Sequence, residues 1–348
     1  MTHYRFLKYN NRLPVQQQGY EMLDRNHENN LWKQTVYAEL KKEIDPFRDR
    51  EYFRPLNRAY TGDNTFWSVP SPEPDLEDDF WEFLKNSLDS ETVKSAAQTL
   101  AASVRQWEEE GNRLLFAAIL RAGVPVADWL SQMIPGSIAV SLSLFVGLGI
   151  DRAALRMIKE HFPERKILFV DGWTGRGGVA RAIRDLGVGP LAVLNDPWGW
   201  ADFSGMDADI FCPTACFTGL GTLGFSRTFF EKEKRLFAAY RFPRKYCRKA
   251  LVETWQKLCP RNEGHPALWE RKEAFFRETP LRIHTNEVCR ALINAAPAQL
   301  FFADDAAYVK EHYPLLLMLA EQRKVKVLYE RKELKELKTR AACTLHTV

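Results

Sequence analysis

Three short segments carry residues whose types and spacing suit chemistry: Arg121-Ala122-Gly123, Asp171-Gly172-Trp173-Thr174-Gly175-Arg176-Gly177-Gly178, and Pro213-Thr-Ala-Cys216-Phe-Thr-Gly-Leu-Gly221. In the second, four apolar residues deliver Asp171 to a strand end, and a Thr-Gly-rich turn leads into a helix. Glycines let a backbone approach an anion, and free N–H groups at a helix start supply donors and a positive dipole end. Asp171 suits ribose hydroxyls or a hydrated Mg²⁺. A tight strand-to-helix turn capped by Thr174, with no ligand, fits the same residues. Arg121 and Gly123, also at a strand end before a helix, suit a second phosphate; a lone surface cation fits too. Ser226-Arg227-Thr228 offers another anion contact or an ordinary ion pair. Trp173, Trp198 and Trp200 could stack on a base or merely cap a sheet.

Cys216 raises a rival chemistry. A turn of small residues can expose a thiolate, but a cysteine nucleophile needs a base. None of the seven histidines lies close to Cys216 in sequence, and a small buried cysteine is the alternative. A zinc site at Cys212 and Cys216 would need four ligands, and no second Cys/His pair is evident.

These segments require a parallel sheet. Apolar strands are expected at 114–120, 138–144, 166–170, 191–194 and 209–212, alternating with helices over 125–133, 152–161 and up to 186, which implies an α/β sheet covered on both faces. Residues 1–110 read as a mainly helical N-terminal region, with helices starting near Phe80 and covering 91–109. Residues 111–244 form the sheet domain and 245–280 a basic helical linker with helices at 250–258 and 267–277. Residues 281–348 form a small α/β unit with helices over 286–295, 306–323 and 332–337 and strands at 299–302, 325–329 and 341–345.

The 348 residues are 45% hydrophobic and 27% charged, an ordinary composition that argues against disorder and fibrous structure. The six cysteines form no CxxC pair, which suits a reducing, cytoplasmic setting rather than a disulfide framework. The first residues lack a signal-peptide apolar run, and the apolar stretch 138–150 falls short of the ~20 residues that span a bilayer. No membrane partner is expected. The net charge of +4 is small. Its distribution is uneven, with an acidic joint at 73–79 and eight basic residues between Lys232 and Lys249 interleaved with Phe242 and Tyr246. That stretch suits RNA or a solvated helix face.

Ala118-Ile-Leu-Arg-Ala-Gly-Val-Pro125, Phe169-Val-Asp-Gly-Trp-Thr-Gly-Arg-Gly177 and Pro213-Thr-Ala-Cys-Phe217 with Gly224-Phe-Ser-Arg-Thr228 together resemble a family of phosphoribosyltransferase-like proteins from bacterial tellurite-resistance and stress gene clusters. That family is also labelled cysteine protease StiP. Gly19-Tyr-Glu-Met-Leu23 echoes its N-terminal segment. Asn286–Leu292, Leu315–Glu321 and Val325–Tyr329 resemble a Pelota-type (L7Ae-like) RNA-binding domain. The resemblance implies a type I phosphoribosyltransferase-like sheet and a phosphoribosyl diphosphate-type ligand. Arg121, Ala122 and Gly123 would form a diphosphate loop, Asp171 would face the ribose, and Thr174–Gly178 would cradle the 5′-phosphate. Mg²⁺ would be held indirectly through Asp171, with no organic cofactor. RNA would bind through 285–348 and the basic stretch 232–249. Three departures stand out: Gly172 replaces a second acid after Asp171, the Thr-Gly pair follows the acid at a shorter spacing with Gly177 in place of a second hydroxyl residue, and Phe145–Gly149 replaces a basic run. The leading expectation is a phosphoribosyltransferase-like enzyme of nucleotide metabolism coupled to RNA. The alternatives are a cysteine protease or thiol hydrolase using Cys216, and a non-catalytic nucleotide or RNA sensor.

Overall fold

The computed structural model describes residues 23, 30–55, 67–108, 113–262, 264–267, 281–295 and 297–345. Along the chain, β1 (Thr35–Tyr37) and β2 (Glu39–Glu43) precede α1 (Asp78–Asn86) and α2 (Glu91–Trp107). Next come β3 (Leu114–Ile119), α3 (Gly123–Met133), β4 (Ile138–Leu142), the short β5 (Leu144–Phe145) and β6 (Gly149–Ile150), α4 (Arg152–His161), β7 (Lys166–Trp173) and α5 (Gly178–Leu186). They are followed by β8 (Leu191–Asn195), β9 (Phe203–Ser204), β10 (Phe229–Glu231), β11 (Leu236–Arg241) and α6 (Lys249–Lys257). The last elements are β12 (Arg282–Ile283), α7 (Thr285–Asn294), β13 (Gln299–Phe302), α8 (Ala306–His312), α9 (Pro314–Gln322), β14 (Lys326–Leu328), α10 (Glu333–Glu336) and β15 (Ala341–Thr344).

A six-stranded sheet runs β1-β4-β3-β7-β8-β9, and every neighbouring pair is parallel. All six residues of β3 are buried, as its unbroken apolar run requires of a strand covered on both faces. Side chains alternate between the faces. Leu114, Phe116, Ala118, Leu168 and Val170 pack with α1, α2 and α3, whereas Leu115, Ala117, Ile119, Ile167 and Phe169 pack with α4 and α5. The protein is therefore α/β.

Counted in chain order, the five strands β4-β3-β7-β8-β9 stand 2-1-3-4-5. Their order reverses between β3 and β7, the position where open α/β sheets place ligands. Both Gly-containing loops lie there. An added Cβ on Gly123 would come 2.1 Å from the Val170 carbonyl oxygen, so only glycine lets α3 start against β7.

Several elements differ from expectation. Among the described residues the N-terminal region holds strands as well as α1 and α2: β1 extends the large sheet and β2 joins β10 and β11 in a second one. The segment 209–212 is no strand, because Asn286 takes up the Cys212 N–H and the Ile210 carbonyl that a ladder would use. β7 continues to Trp173, so Asp171 belongs to the strand and not to its loop. The single helix expected over 306–323 is two, since Pro314 has no N–H to continue a helix and starts α9 instead. The helix expected over 267–277 and the echo at Gly19–Leu23 fall mainly outside the described residues.

Residues 281–345 build a four-stranded sheet, β12-β15-β13-β14, with α7 packed between it and the large sheet domain. Within the basic stretch, Lys234 pairs with Glu39 and Glu231, Lys245 with Asp45, Arg248 with Asp78 and Lys249 with Glu253. Among the described residues no helix is long and apolar enough to cross a membrane.

Candidate functional site

The two loops at the strand-order reversal do meet. An added Cβ on Gly172 would lie 3.2 Å from the Ala122 carbonyl oxygen. The space expected to receive an anion there is filled by the protein itself. Arg121 is directed inward, with its guanidinium 3.5 Å from the Glu73 carboxylate and donating to Asn294 Oδ1 at 2.8 Å. Burial and the neighbouring Arg290 cation both lower its pKa.

The Thr174–Gly178 turn is equally occupied. Thr174 Oγ1 donates to Asp196 at 2.6 Å. Trp173 Nε1 donates to Glu287 Oε1 at 2.8 Å, and the Glu287 Cγ atom lies 3.1 Å from where a Cβ on Gly175 would be. Gly177, at φ 71°, lies against the Trp200 ring, and Gly178 against Val146. Arg176 contributes its carbonyl to Arg181. Ser226 Oγ donates to the Arg227 carbonyl oxygen and accepts from Tyr240 N, which ties it into the local backbone.

Asp171 is buried, and its carboxyl accepts one hydrogen bond from Gly172 N. Burial pushes its pKa to about 8, reinforced by the Glu287 charge, so the carboxyl is mostly protonated at neutral pH. Mg²⁺ prefers ionised oxygen ligands with room for its waters. The residues here do not fit it: burial favours the protonated form of Asp171, no acid follows it, and Glu287 is held by Arg282 and Trp173. Among the described residues no group of three or more His, Cys, Asp or Glu side chains is arranged to hold a metal.

Thiols lie beside this filled cleft. A 3-10 turn over Pro213–Cys216 packs against α7, placing Cys216 Sγ 3.4 Å from Cys289 Sγ. Both residues are fully buried. Burial pushes the Cys216 thiol well above its ordinary pKa, and Cys289 adds to this while Arg290 opposes it. Arg290 Nη1 donates to the carbonyl oxygens of Ala215 and Phe217, on either side of Cys216, at 3.1 and 2.6 Å. Cys212, also buried, has its thiol 3.1 Å from Thr214 Oγ1 and its pKa pushed up to about 11 by burial.

α7 also brings a histidine to this end of the sheet. His284 caps α7 at φ 90°, with Nδ1 3.3 Å from Asp209 Oδ1 and Nε2 3.0 Å from Asn195 Nδ2. The Trp173 and Trp198 rings flank its imidazole. Asp209 accepts from Thr285 N, Thr339 Oγ1 and Arg340 N as well. Among the described residues no hydrogen bond joins a histidine to a cysteine thiol.

The folded chain thus unites Arg121, Asp171 and Cys216 with Glu73, Asp209, His284, Glu287, Cys289 and Arg290. The last six were not singled out from sequence; the close spacing of His284, Glu287, Cys289 and Arg290 on one helix was the available signal.

A profile of the family described as "Tellurite-like stress resistance cysteine protease StiP" matches residues 56–245, more than half of the chain. The chain belongs to this family. A relative from Acinetobacter baylyi, named "Cysteine protease StiP", is 33% identical over 133 residues, covering 34% of this chain and 33% of the relative. The match therefore spans about a third of the relative's length. No solved structure matches. The expectation of a phosphoribosyltransferase-like enzyme is corrected by both names. The physical reasons agree: the diphosphate-loop arginine is paired internally, the presumed phosphate cradle holds the Glu287 side chain, and the presumed ribose acid is largely uncharged at neutral pH.

Proposed function

We propose that the protein is a cysteine protease whose nucleophile is Cys216, held closed in the arrangement seen. The observation that carries this reading is Arg290, whose guanidinium bonds the carbonyls on both sides of Cys216 and opposes the burial that keeps the thiol protonated. A cation beside a thiol favours the thiolate once water can reach it. Opening the joint between the 213–216 turn and α7 would expose Cys216 and separate it from Cys289. The family name and that of the Acinetobacter relative support the same chemistry.

In the reaction the thiol proton passes to a base, the thiolate attacks a peptide carbonyl, and the amine leaves with that proton. Water then hydrolyses the thioester. His284 is the base assigned here, because it starts the helix that carries Cys289; its Nδ1 accepts from Asn286 N, with the Asp209 carboxylate 3.3 Å away. Both its ring nitrogens are engaged in the closed state, so the same opening must free one of them.

The strand order 2-1-3-4-5 supports a further proposal about ancestry alone, that the sheet follows a type I phosphoribosyltransferase plan. The mixed four-stranded sheet of residues 281–345 supports an L7Ae-like plan in the same sense.

Purified protein incubated with an unfolded protein substrate, at neutral pH under reducing conditions, tests the activity. Cleavage by the wild type that disappears in Cys216→Ala and persists in Cys259→Ala is expected. No cleavage by the wild type, or full activity in Cys216→Ala, overturns the reading.

A further inference from the structure

The segment carrying Cys216 is held by α7 on both sides of that residue. Asn286 Oδ1 accepts from Cys212 N at 2.8 Å, and Asn286 Nδ2 donates to the Ile210 carbonyl oxygen at 3.0 Å. One helical turn further on, Arg290 Nη1 donates to the carbonyl oxygens of Ala215 and Phe217. Cys289 lies between Asn286 and Arg290 on α7, and its thiol meets that of Cys216 at 3.4 Å. Among the described residues neither thiol has another hydrogen-bond partner, and no other two thiols are hydrogen-bonded to each other. Cys212 bonds Thr214 instead, and Cys259 faces backbone carbonyls.

A disulfide joins its sulfur atoms at about 2.0 Å, so this pair must close by only about 1.4 Å. The turn and the helix that carry the two sulfurs are already bonded together. A thiol held this close attacks as an internal nucleophile, at a far higher effective concentration than a thiol free in solution.

We propose that Cys216 and Cys289 are a dithiol modification site, which a small-molecule disulfide such as oxidised glutathione converts into an intramolecular disulfide that caps Cys216. The exchange takes two steps. The Cys216 thiolate attacks one sulfur of the glutathione disulfide, forming a mixed disulfide and expelling one glutathione thiolate. The Cys289 thiolate then attacks the Cys216 sulfur and expels the second glutathione thiolate. The two protein thiols lose two electrons, the glutathione disulfide gains them, and the two protons end on the two glutathione thiols. Both thiols are fully buried in the closed arrangement, so the first step belongs to the opened joint and the second to its reclosure. The product ties the 213–216 turn to α7 covalently. Cys216 then has no free thiol, and the joint cannot reopen until the bond is reduced. The site rests on the two thiols and the grips around them; its consequence for cleavage rests on the protease reading.

Full-length protein is equilibrated in glutathione buffers of increasing oxidised fraction, quenched with acid, alkylated and mapped by mass spectrometry. Wild type, Cys216→Ala, Cys289→Ala and the control Cys247→Ala are compared, each checked by its melting temperature. Peptides linked through Cys216 and Cys289 are expected in wild type and Cys247→Ala and in neither other variant. A glutathione adduct on Cys216 should accumulate at least about tenfold more in Cys289→Ala than in wild type, because the internal thiol that removes it is gone. Cys216 remaining reduced in every buffer, a lasting adduct on Cys216 in wild type, or linkage of Cys216 to a different cysteine overturns the site. Should Cys289→Ala not fold, the wild-type map alone decides. Cleavage assays on the same samples separate the two ideas: the linked form should be inactive and recover with dithiothreitol. Linkage in a protein that cleaves nothing when reduced removes the protease reading alone, and cleavage that survives linkage removes the switch.

Discussion

The sulfur atoms of Cys216 and Cys289 lie 3.4 Å apart across the joint between the 213–216 turn and α7, contributed by positions 73 residues apart. This contact holds the proposed nucleophile in a dry, protonated state and makes the joint sensitive to alkali. An unfolded thiol ionises near pH ~8.5. The folded Cys216 thiol ionises only at higher pH, because burial and Cys289 disfavour its thiolate. The stability this contributes is fully present below pH ~8.5 and is lost as pH rises toward the folded value. Urea unfolding at pH 8.5 and 10.5 should show a loss of stability attributable to this thiol. Cys216→Ala should lose correspondingly less over the same interval, and an identical pH dependence in that variant would contradict the assignment.

Asp171 predicts a related effect at lower pH. Its carboxyl has a folded pKa of about 8, raised chiefly by burial. Unfolded, an aspartate titrates near ~3.9. The protonated form therefore supports the fold fully below pH ~3.9, and that support falls as pH rises to about 8. Replacement by the uncharged isostere Asp171→Asn should raise the melting temperature at pH 8 more than at pH 5. The difference is expected to be on the order of a few kcal/mol at the higher pH. Equal effects at both pH values would mean that the carboxyl is already ionised in the folded protein.

Much of this architecture was legible because it rests on local pattern. The apolar runs of β3 and β7 could only be covered strands, and Gly123 marked a real close approach to Val170. The site was far less legible, because its chemistry depends on partners remote in sequence. Arg121 lies just past the end of β3 as expected and Asp171 two residues short of the end of β7, but Glu73, Glu287 and Asn294, which fill the space around them, come from segments with no local signal for that role. The same limit hid β1 and β2, whose short strands acquire meaning only through pairing with β4 and β11. Expecting a strand at 209–212 failed for a related reason: Asn286, 74 residues from Cys212, captures the backbone groups that would have formed its ladder.

Asp209 shows how a single side chain can fasten two units. Its carboxylate accepts from Thr285 N, Thr339 Oγ1 and Arg340 N, and also faces His284 Nδ1. Asp209→Ala would leave several buried donors without acceptors, at a cost of about 3–5 kcal/mol. Limited proteolysis should then release a fragment containing the 281–345 unit far faster than in wild type, with the large sheet still protected. Unchanged proteolysis would show that apolar packing alone holds the unit in place.

The final prediction compares two glycines with different constraints. A Cβ at Gly123 would approach the Val170 carbonyl oxygen to 2.1 Å and the Ala118 Cα to 3.3 Å, and both are backbone atoms that cannot turn aside. Gly123→Ala must separate α3 from β7 and spread the two loops at the strand-order reversal, with an expected loss above about 3 kcal/mol. At Gly187, which ends α5 with φ 63°, an added Cβ would meet nothing within 4 Å. Gly187→Ala therefore bears only the left-handed backbone strain, about 1–2 kcal/mol. Chemical denaturation of both variants checks the order of the two losses. If Gly123→Ala proved the milder, the close approach of α3 to β7 would not be what fixes the junction where the proposed active site is built.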